Sequence, residues 1–213
     1  LEIEFIATQP SPTPSGQPAL GPTVTPTLSL TPSLTPLPAA AQYAFQQGVN
    51  GYAGCADTTI DSWNPQTNYG ADSRLILRQG NTRAVLARFD VSSIPRYSRI
   101  GQALLQVYVK SRSRDSNLPI EVRGLLRPWA ANESTYERAS KSEAWLGAGA
   151  SGQGQDISAT PVAQKTLQAI GQWEAFDLTA LVQDWVNDPL RNHGVIIQAH
   201  GQVSVEYILV SSD

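Results

Sequence analysis

Residues 84–109, AVLARFDVSSIPRYSRIGQALLQVYV, contain two short apolar segments, 84–89 and 103–109, on either side of a stretch rich in Ser, Pro and Gly. Short runs of Val, Leu, Phe and Tyr bounded by turn-forming residues are typical of β-strands. The sequence therefore predicts two strands joined by a loop.

The same alternation of short apolar segments and turns extends through residues 41–213. Eight further strands are predicted, at residues 43–46, 57–61, 74–78, 120–126, 165–168, 173–176, 194–198 and 203–210. About ten short strands favour a single all-β domain built as a two-sheet sandwich. One helix is predicted between the last strands: Asp177 or Thr179 caps it, Asp188-Pro189 ends it, and apolar residues recur at helical spacing, at Leu178, Leu181, Val182 and Trp185.

Residues 9–40 form a separate zone because their composition differs from that of the domain. They hold nine of the 15 prolines, six Thr, four Ser and no charged residue. Proline fixes φ and lacks an amide donor, so this zone is predicted to be an extended linker. A plain tether explains it, but Thr beside Pro also resembles O-glycosylated stalks of secreted proteins, with candidate sites at Thr13, Thr23, Thr25, Thr27, Thr31 and Thr35.

The first eight residues, 1–8, precede this linker and alternate between apolar and acidic side chains. Leu1, Ile3 and Phe5 share one face, which is the period of a half-buried strand. A lone strand cannot satisfy its own backbone groups, so we expect it to pair with a sheet. The sequence leaves open whether that sheet belongs to a neighbouring molecule or to the same chain.

The overall composition excludes several classes of protein. The formal net charge is −3, which gives no broad basic surface for nucleic acid, and no apolar run approaches the length of a membrane helix. The single cysteine, Cys55, excludes an internal disulfide framework and is interpreted as a small buried residue. The chain starts at Leu1 and contains no Met, which suggests a mature secreted chain or an excised fragment, and we expect an extracellular location.

Several motifs along the domain match one family. They run through residues 63–70, 88–95, 103–105, 133–136, 176–179 and 192–194, together with Trp129, Trp145, Trp173, Val182, Gln183 and Trp185. In these positions residues 43–210 resemble the DNRLRE-type domain, although the family more often has Trp where this chain has Tyr136. The resemblance implies a jelly-roll β-sandwich of secreted bacterial and archaeal proteins, related to alginate-type carbohydrate-binding modules.

Catalytic chemistry is not predicted. The two histidines, His193 and His200, flank one predicted strand and would stand roughly 23 Å apart along it, too far to share a metal ion. The chain has no nucleophile elbow, no phosphate-binding glycine loop and no zinc-protease motif. A hydrolase or lyase thus has no positive support, and we predict that the domain is not an enzyme.

The sequence also offers ligands for a structural calcium ion, and no other cofactor is predicted. Asp57, Asp61 and Asp72 lie around Asn64 and Asn68 in the first connecting loops, and such oxygen ligands suit calcium. Jelly-roll domains that resemble this one often carry such an ion. Asp and Asn side chains also cap neighbouring amides in turns, which explains the same residues without a metal.

Aromatic side chains suggest contact with sugar. Trp63 and Tyr69 fall in a predicted loop and are the candidate glycan contacts. Trp129, Trp173 and Trp185 have apolar neighbours and are expected to pack in the core, whereas Trp145 is ambiguous.

Two functions follow from these observations. The favoured hypothesis is a subunit of an extracellular filament, a head-to-tail homopolymer in which Leu1, Ile3 and Phe5 insert as a donor strand into the next jelly roll. The alternative is a secreted carbohydrate-binding module on a Pro/Thr-rich linker, with Trp63 and Tyr69 against polysaccharide.

Overall fold

The computed structural model describes residues 2–8 and 41–212, and within residues 2–8 it describes the side chains of Glu2 and Glu4 only. These residues form eleven strands, one α-helix and one 3₁₀ turn: β1 Glu2–Thr8, β2 Ala41–Gln46, β3 Cys55–Asp61, β4 Arg74–Arg78, β5 Arg83–Phe89, β6 Arg99–Arg112, β7 Leu118–Gly124, β8 Ala163–Leu167, β9 Gln172–Asp177, α1 Thr179–Asn187, the turn Pro189–Arg191, β10 Val195–Ala199 and β11 Glu206–Val210. Each of the ten predicted segments overlaps one of β2–β11, and the all-β prediction is confirmed.

The strands form two layers that face each other. One layer contains β3, β5, β10, β7 and β8, and the other contains β4, β11, β6 and β9, with β1 and β2 beside β6. The layers are joined where β4 meets β5, at the pair Arg78 and Arg83. This nearly closed sandwich agrees with the predicted jelly-roll architecture.

Strand periodicity decides which side chains enter the core. In β5, Val85, Ala87 and Phe89 join the main core between the layers, together with Leu105 and Val107 of β6. The alternate residues of β5, Ala84 and Leu86, instead face a second apolar cluster outside the first layer. The segment between β7 and β8 supplies the cover of that cluster, which includes Trp129, Trp145 and Ile157.

The tryptophans test the core predictions individually. Trp129 and Trp185 are buried, as predicted, and the ambiguous Trp145 is buried as well. Trp173 is 44% exposed, so its predicted core position is wrong. In β9 the inward positions belong to Glu174 and Phe176, which leaves Trp173 on the outer face despite its apolar neighbours.

Helix α1 keeps the predicted apolar spacing, but its N-cap residue is Leu178, without a side-chain cap, so the predicted cap at Asp177 or Thr179 is wrong. The Asp177 carboxylate accepts hydrogen bonds from the backbone amide (2.8 Å) and the hydroxyl (2.6 Å) of Thr179, and these bonds lower the pKa of Asp177. The helix buries Val182, Trp185 and Val186 against the main core and ends before Asp188. The helix thereby closes one end of the sandwich.

Strand β1 lies in the sheet of its own chain. It pairs antiparallel with β2 on one edge, where Ile3 lies opposite Phe45, and with β6 on the other, where Ile3 lies opposite Leu105. The backbone groups of residues 2–8 therefore need no second molecule, and the expected docking in a neighbour is replaced by docking within the chain. The side chains of Leu1, Ile3 and Phe5 and the threonines between residues 9 and 40 lie outside the described residues.

Candidate functional site

The loop after β3 presents Trp63 to solvent. The Trp63 side chain is 58% exposed, and its backbone amide donates to the Asp61 carboxylate over 2.9 Å. Two guanidinium groups stack on the indole ring, with the central carbons of Arg78 and Arg83 at 4.4 and 5.1 Å from the ring centroid. The ring is thus an aromatic surface held in a fixed orientation by cation–π contacts.

Asp61 organises this loop. It is only 1% exposed and accepts hydrogen bonds from the Asn64 side-chain amide (3.1 Å) and the Tyr69 hydroxyl (3.3 Å), besides its bond from Trp63. The Arg83 Nε atom lies 3.0 Å from the same carboxylate. Burial and the neighbouring Asp61 charge raise the pKa of the Tyr69 phenol.

Trp63 and Tyr69, the two predicted glycan contacts, therefore meet at one carboxylate. Tyr69 is partly buried and its hydroxyl is engaged, whereas Trp63 offers open ring surface. Of the two predicted contacts, Trp63 is therefore the accessible one, and Tyr69 holds the loop through Asp61.

The loop is also fixed at its far end. The Asn68 side-chain amide donates to the carbonyl oxygens of Ala131 (2.7 Å) and Ser134 (2.6 Å). Gly70 packs so closely that a Cβ atom there would lie 2.2 Å from the Ala131 carbonyl oxygen. Trp63 is therefore part of a preformed surface.

Two ion pairs balance the arginines beside Trp63. Glu206, at the start of β11, lies 3.0 Å from Arg78 Nη1 and 2.9 Å from Arg83 Nη1. Glu206 and Asp61 together compensate the charges of Arg78 and Arg83. Sequence reasoning missed Arg78, Arg83 and Glu206, because they come from three strands that only the fold brings together.

The three candidate calcium ligands do not meet. Asp57 accepts the Ser211 hydroxyl (2.7 Å) and the Ser212 amide (2.8 Å), Asp61 binds the loop, and Asp72 pairs with Arg74 at 3.0 Å. Among residues 2–8 and 41–212, no three His, Cys, Asp or Glu side chains are placed to hold a metal ion. Turn and strand contacts account for these carboxylates.

A second aromatic site, formed by the partly buried Tyr108 and the exposed Trp173, lies on the other layer. The rings of Tyr108 and Trp173 meet edge to face with centroids 5.5 Å apart. They border a cavity of about 190 Å³, whose other lining residues are Gln46, Gln47, Val210, Ser211 and Ser212. The lining of this cavity is aromatic, amide and hydroxyl, without a charged side chain.

A cavity of about 630 Å³ lies between the start of β3 and the end of α1. Arg88, Arg96 and Asn192 line it, and its tryptophan, Trp185, is buried. It is separated from the Trp63 surface by the length of β3, about 20 Å for seven residues. This cavity offers polar groups but no exposed aromatic ring.

The histidines take the predicted positions on either side of β10. His193 lies in a turn before Gly194, whose φ of +80° and close approach to Ala87 exclude a side chain. Desolvation and the Arg88 charge lower the pKa of His193. His200 follows β10 and lies 3.1 Å from Glu121.

Comparison with protein families gives the class of module to which the chain belongs. The chain belongs to carbohydrate-binding module family 96, whose model matches residues 51–213. The predicted relation to carbohydrate-binding modules is confirmed, while the narrower DNRLRE-type assignment receives no support from this match. A search of curated proteins finds no match, and none of the helices in residues 2–8 and 41–212 is long and apolar enough to span a membrane.

Proposed function

We propose that the domain binds polysaccharide, with Trp63 as the main contact. The observation that carries this proposal is the 58% exposure of a tryptophan whose loop is fixed from below by a buried carboxylate. An amphipathic aromatic ring matches the apolar face of a pyranose, and nearby polar groups orient the sugar hydroxyls. The family match supports the same class of ligand.

Polar groups around the ring suit a hydroxyl-rich ligand. The Asn64 side chain is exposed, and the Ser204 hydroxyl accepts a hydrogen bond from Arg78 Nη2 at 2.5 Å. Because Asp61 and Glu206 balance Arg78 and Arg83, the site carries no large net charge. Stacking and hydrogen bonds should therefore contribute more to affinity than long-range attraction.

Affinity electrophoresis against a panel of neutral and uronate-containing polysaccharides tests this proposal. We expect retardation by at least one polysaccharide and a loss of about 30-fold or more in affinity for Trp63→Ala, as for a central aromatic contact. Tyr97→Ala is the matched control, because Tyr97 is also an exposed aromatic, 65% exposed, with an arginine stacked on it at 5.3 Å. Equal affinities of wild type and Trp63→Ala, or no binding to any polysaccharide, would contradict the proposal.

An extracellular, non-catalytic role fits this function. Modules that bind polysaccharide work where the polymer is, and the Thr-Pro repeats of residues 9–40 are typical of secreted linkers. O-linked sugars on Thr13, Thr23, Thr25, Thr27, Thr31 and Thr35 belong to the same proposal, and mass spectrometry of the native protein tests them.

The filament hypothesis has no comparable support among the described residues. Its premise was that residues 1–8 lack a partner, but β1 pairs on both edges with strands of its own chain. Carbohydrate binding is therefore the function that we retain.

A further inference from the structure

We infer that a bound polysaccharide lies across the outer face of the β4–β11–β6–β9 layer, from Trp63 at one corner to Tyr108 and Trp173 at the other. This inference rests on the proposed function and extends it: the ligand is an extended internal segment of a polymer rather than a chain end. We call this surface the aromatic track.

Strand register places the two aromatic sites on the same face. In β11, Tyr207 and Leu209 are buried, so Glu206, Ile208 and Val210 face outward. In β4, Leu75 and Leu77 are buried, which turns the alternate residues outward as partners of β11: Arg78 opposite Glu206, Ile76 opposite Ile208, and Arg74 opposite Val210.

The register of β6 completes the track. Leu209 lies opposite Val109, a core residue, so Tyr108 is on the outer face near Val210. Tyr108 is also the register partner of Trp173 in β9. Val210, Tyr108 and Trp173 thus form one row across the layer, and all three line the 190 Å³ cavity.

The distance between the ends suits a ligand of several sugar units. The row of Arg78 and Glu206 is four residues from the row of Val210 along β11, and β4 is three strand spacings from β9. Standard strand dimensions make the diagonal about 20 Å. One sugar ring cannot contact both Trp63 and Trp173 over this span.

The chemistry of the track also favours a polymer segment. Its centre is the partly buried pair Ile76 and Ile208, flanked by charges that have partners, since Arg74 pairs with Asp72 and Arg78 with Glu206. The far end offers the side-chain amide of Gln46, which lines the cavity and suits a sugar hydroxyl. Alternating aromatic, aliphatic and amide groups complement a chain of sugar rings and hydroxyls.

A length series of oligosaccharides from the polysaccharide bound in the panel tests this inference by isothermal titration calorimetry. We expect Trp173→Ala to weaken polymer binding about 10-fold and to leave binding of the shortest ligands unchanged, while Trp63→Ala weakens both. Gln46→Ala is a second, milder variant that should also weaken only the longer ligands. Circular dichroism of each variant confirms folding, and Tyr97→Ala is the control.

The outcomes separate the two proposals. If Trp173→Ala and Gln46→Ala bind polymer like the wild type, or if affinity does not rise with ligand length, the track is wrong although binding at Trp63 stands. If Trp63→Ala binds like the wild type as well, the proposed function itself fails.

Discussion

The guanidinium of Arg78 lies 4.4 Å from the centre of the Trp63 ring while its Nη1 atom pairs with Glu206 at 3.0 Å. The loop after β3 and the strand β11, more than 140 residues apart in sequence, are thereby joined at one exposed aromatic side chain. This contact explains how a tryptophan on a loop keeps a fixed orientation. Preorganisation of this kind lowers the ordering cost of binding.

Removal of the stacked guanidinium should weaken polysaccharide binding without unfolding the domain. We expect Arg78→Ala to lower affinity by roughly 3- to 10-fold, because the indole ring then samples several rotamers in the free protein. Arg78→Lys should recover little, since an ammonium group lacks the planar stack. Titration calorimetry measures the effect, with Arg191→Ala as the control, because Arg191 is an exposed arginine that pairs with Asp184 outside the track. An unchanged affinity for Arg78→Ala contradicts the role of the contact.

The buried carboxylate of Asp61 should matter for stability as well as for binding. Asp61→Asn retains the shape but loses the charge that faces Arg83, and we expect a loss of about 2–3 kcal/mol in the free energy of unfolding. Asp72→Asn removes an exposed pair and should cost no more than about 0.5 kcal/mol. Urea titrations of both variants provide the comparison, and equal midpoints would show that Asp61 does not hold the loop.

The contacts of the three candidate calcium ligands predict that calcium does not stabilise the domain. Because Asp57, Asp61 and Asp72 each bind separate protein groups, addition of a chelator should leave the melting temperature unchanged. Differential scanning calorimetry with and without excess calcium checks this expectation. A rise in melting temperature with calcium that Asp61→Asn abolishes would restore the calcium hypothesis.

The position of β1 predicts a monomer. Glu4 lies between Ala44 of β2 and Leu104 of β6, so Glu4→Pro removes a hydrogen-bond donor from the middle of the sheet and should lower the free energy of unfolding by roughly 3 kcal/mol. Ala19→Pro, within the proline-rich residues 9–40, is the control and should have little effect. Light scattering should show a monomer for the wild type, Glu4→Pro and Ala19→Pro. A wild type that forms polymers, together with a monomeric Glu4→Pro variant, would favour the filament.

Acid should destabilise the domain in two separate ranges of pH. Desolvation and the Arg88 charge lower the pKa of His193 in the folded protein. As the pH drops below about 6.5, the imidazole therefore takes up a proton in the unfolded chain before it does so in the folded one, and the free energy of unfolding falls. Glu121 affects stability in a lower range of pH. Burial opposes its ionisation, but Arg123 and His200 lower the pKa of Glu121 overall, so its contribution to the free energy of unfolding is lost only below about pH 4.5. In urea titrations at several pH values, His193→Gln should remove the upper range alone, and an unchanged profile would contradict this assignment.

The sequence predicts the strands of this fold well because turn residues and period-two patterns are local signals. It also singles out Trp63, since Asp, Asn and Pro around it indicate a loop. It misplaces Trp173, because apolar neighbours along a strand do not reveal which face the core will cover. It also cannot find Arg78, Arg83 and Glu206, because their proximity arises from pairing between distant strands.

Proton–nitrogen correlation spectra of the five indole groups during a polysaccharide titration test the central claim most directly. Trp129 and Trp145 are buried, and their indole N–H groups donate to the carbonyl oxygens of His193 (2.8 Å) and Thr135 (3.0 Å), so their signals should stay in place. The signal of Trp63, identified by its absence in Trp63→Phe, should move progressively to saturation. A ligand that saturates the domain while the Trp63 signal stays unmoved would show that the sugar binds elsewhere.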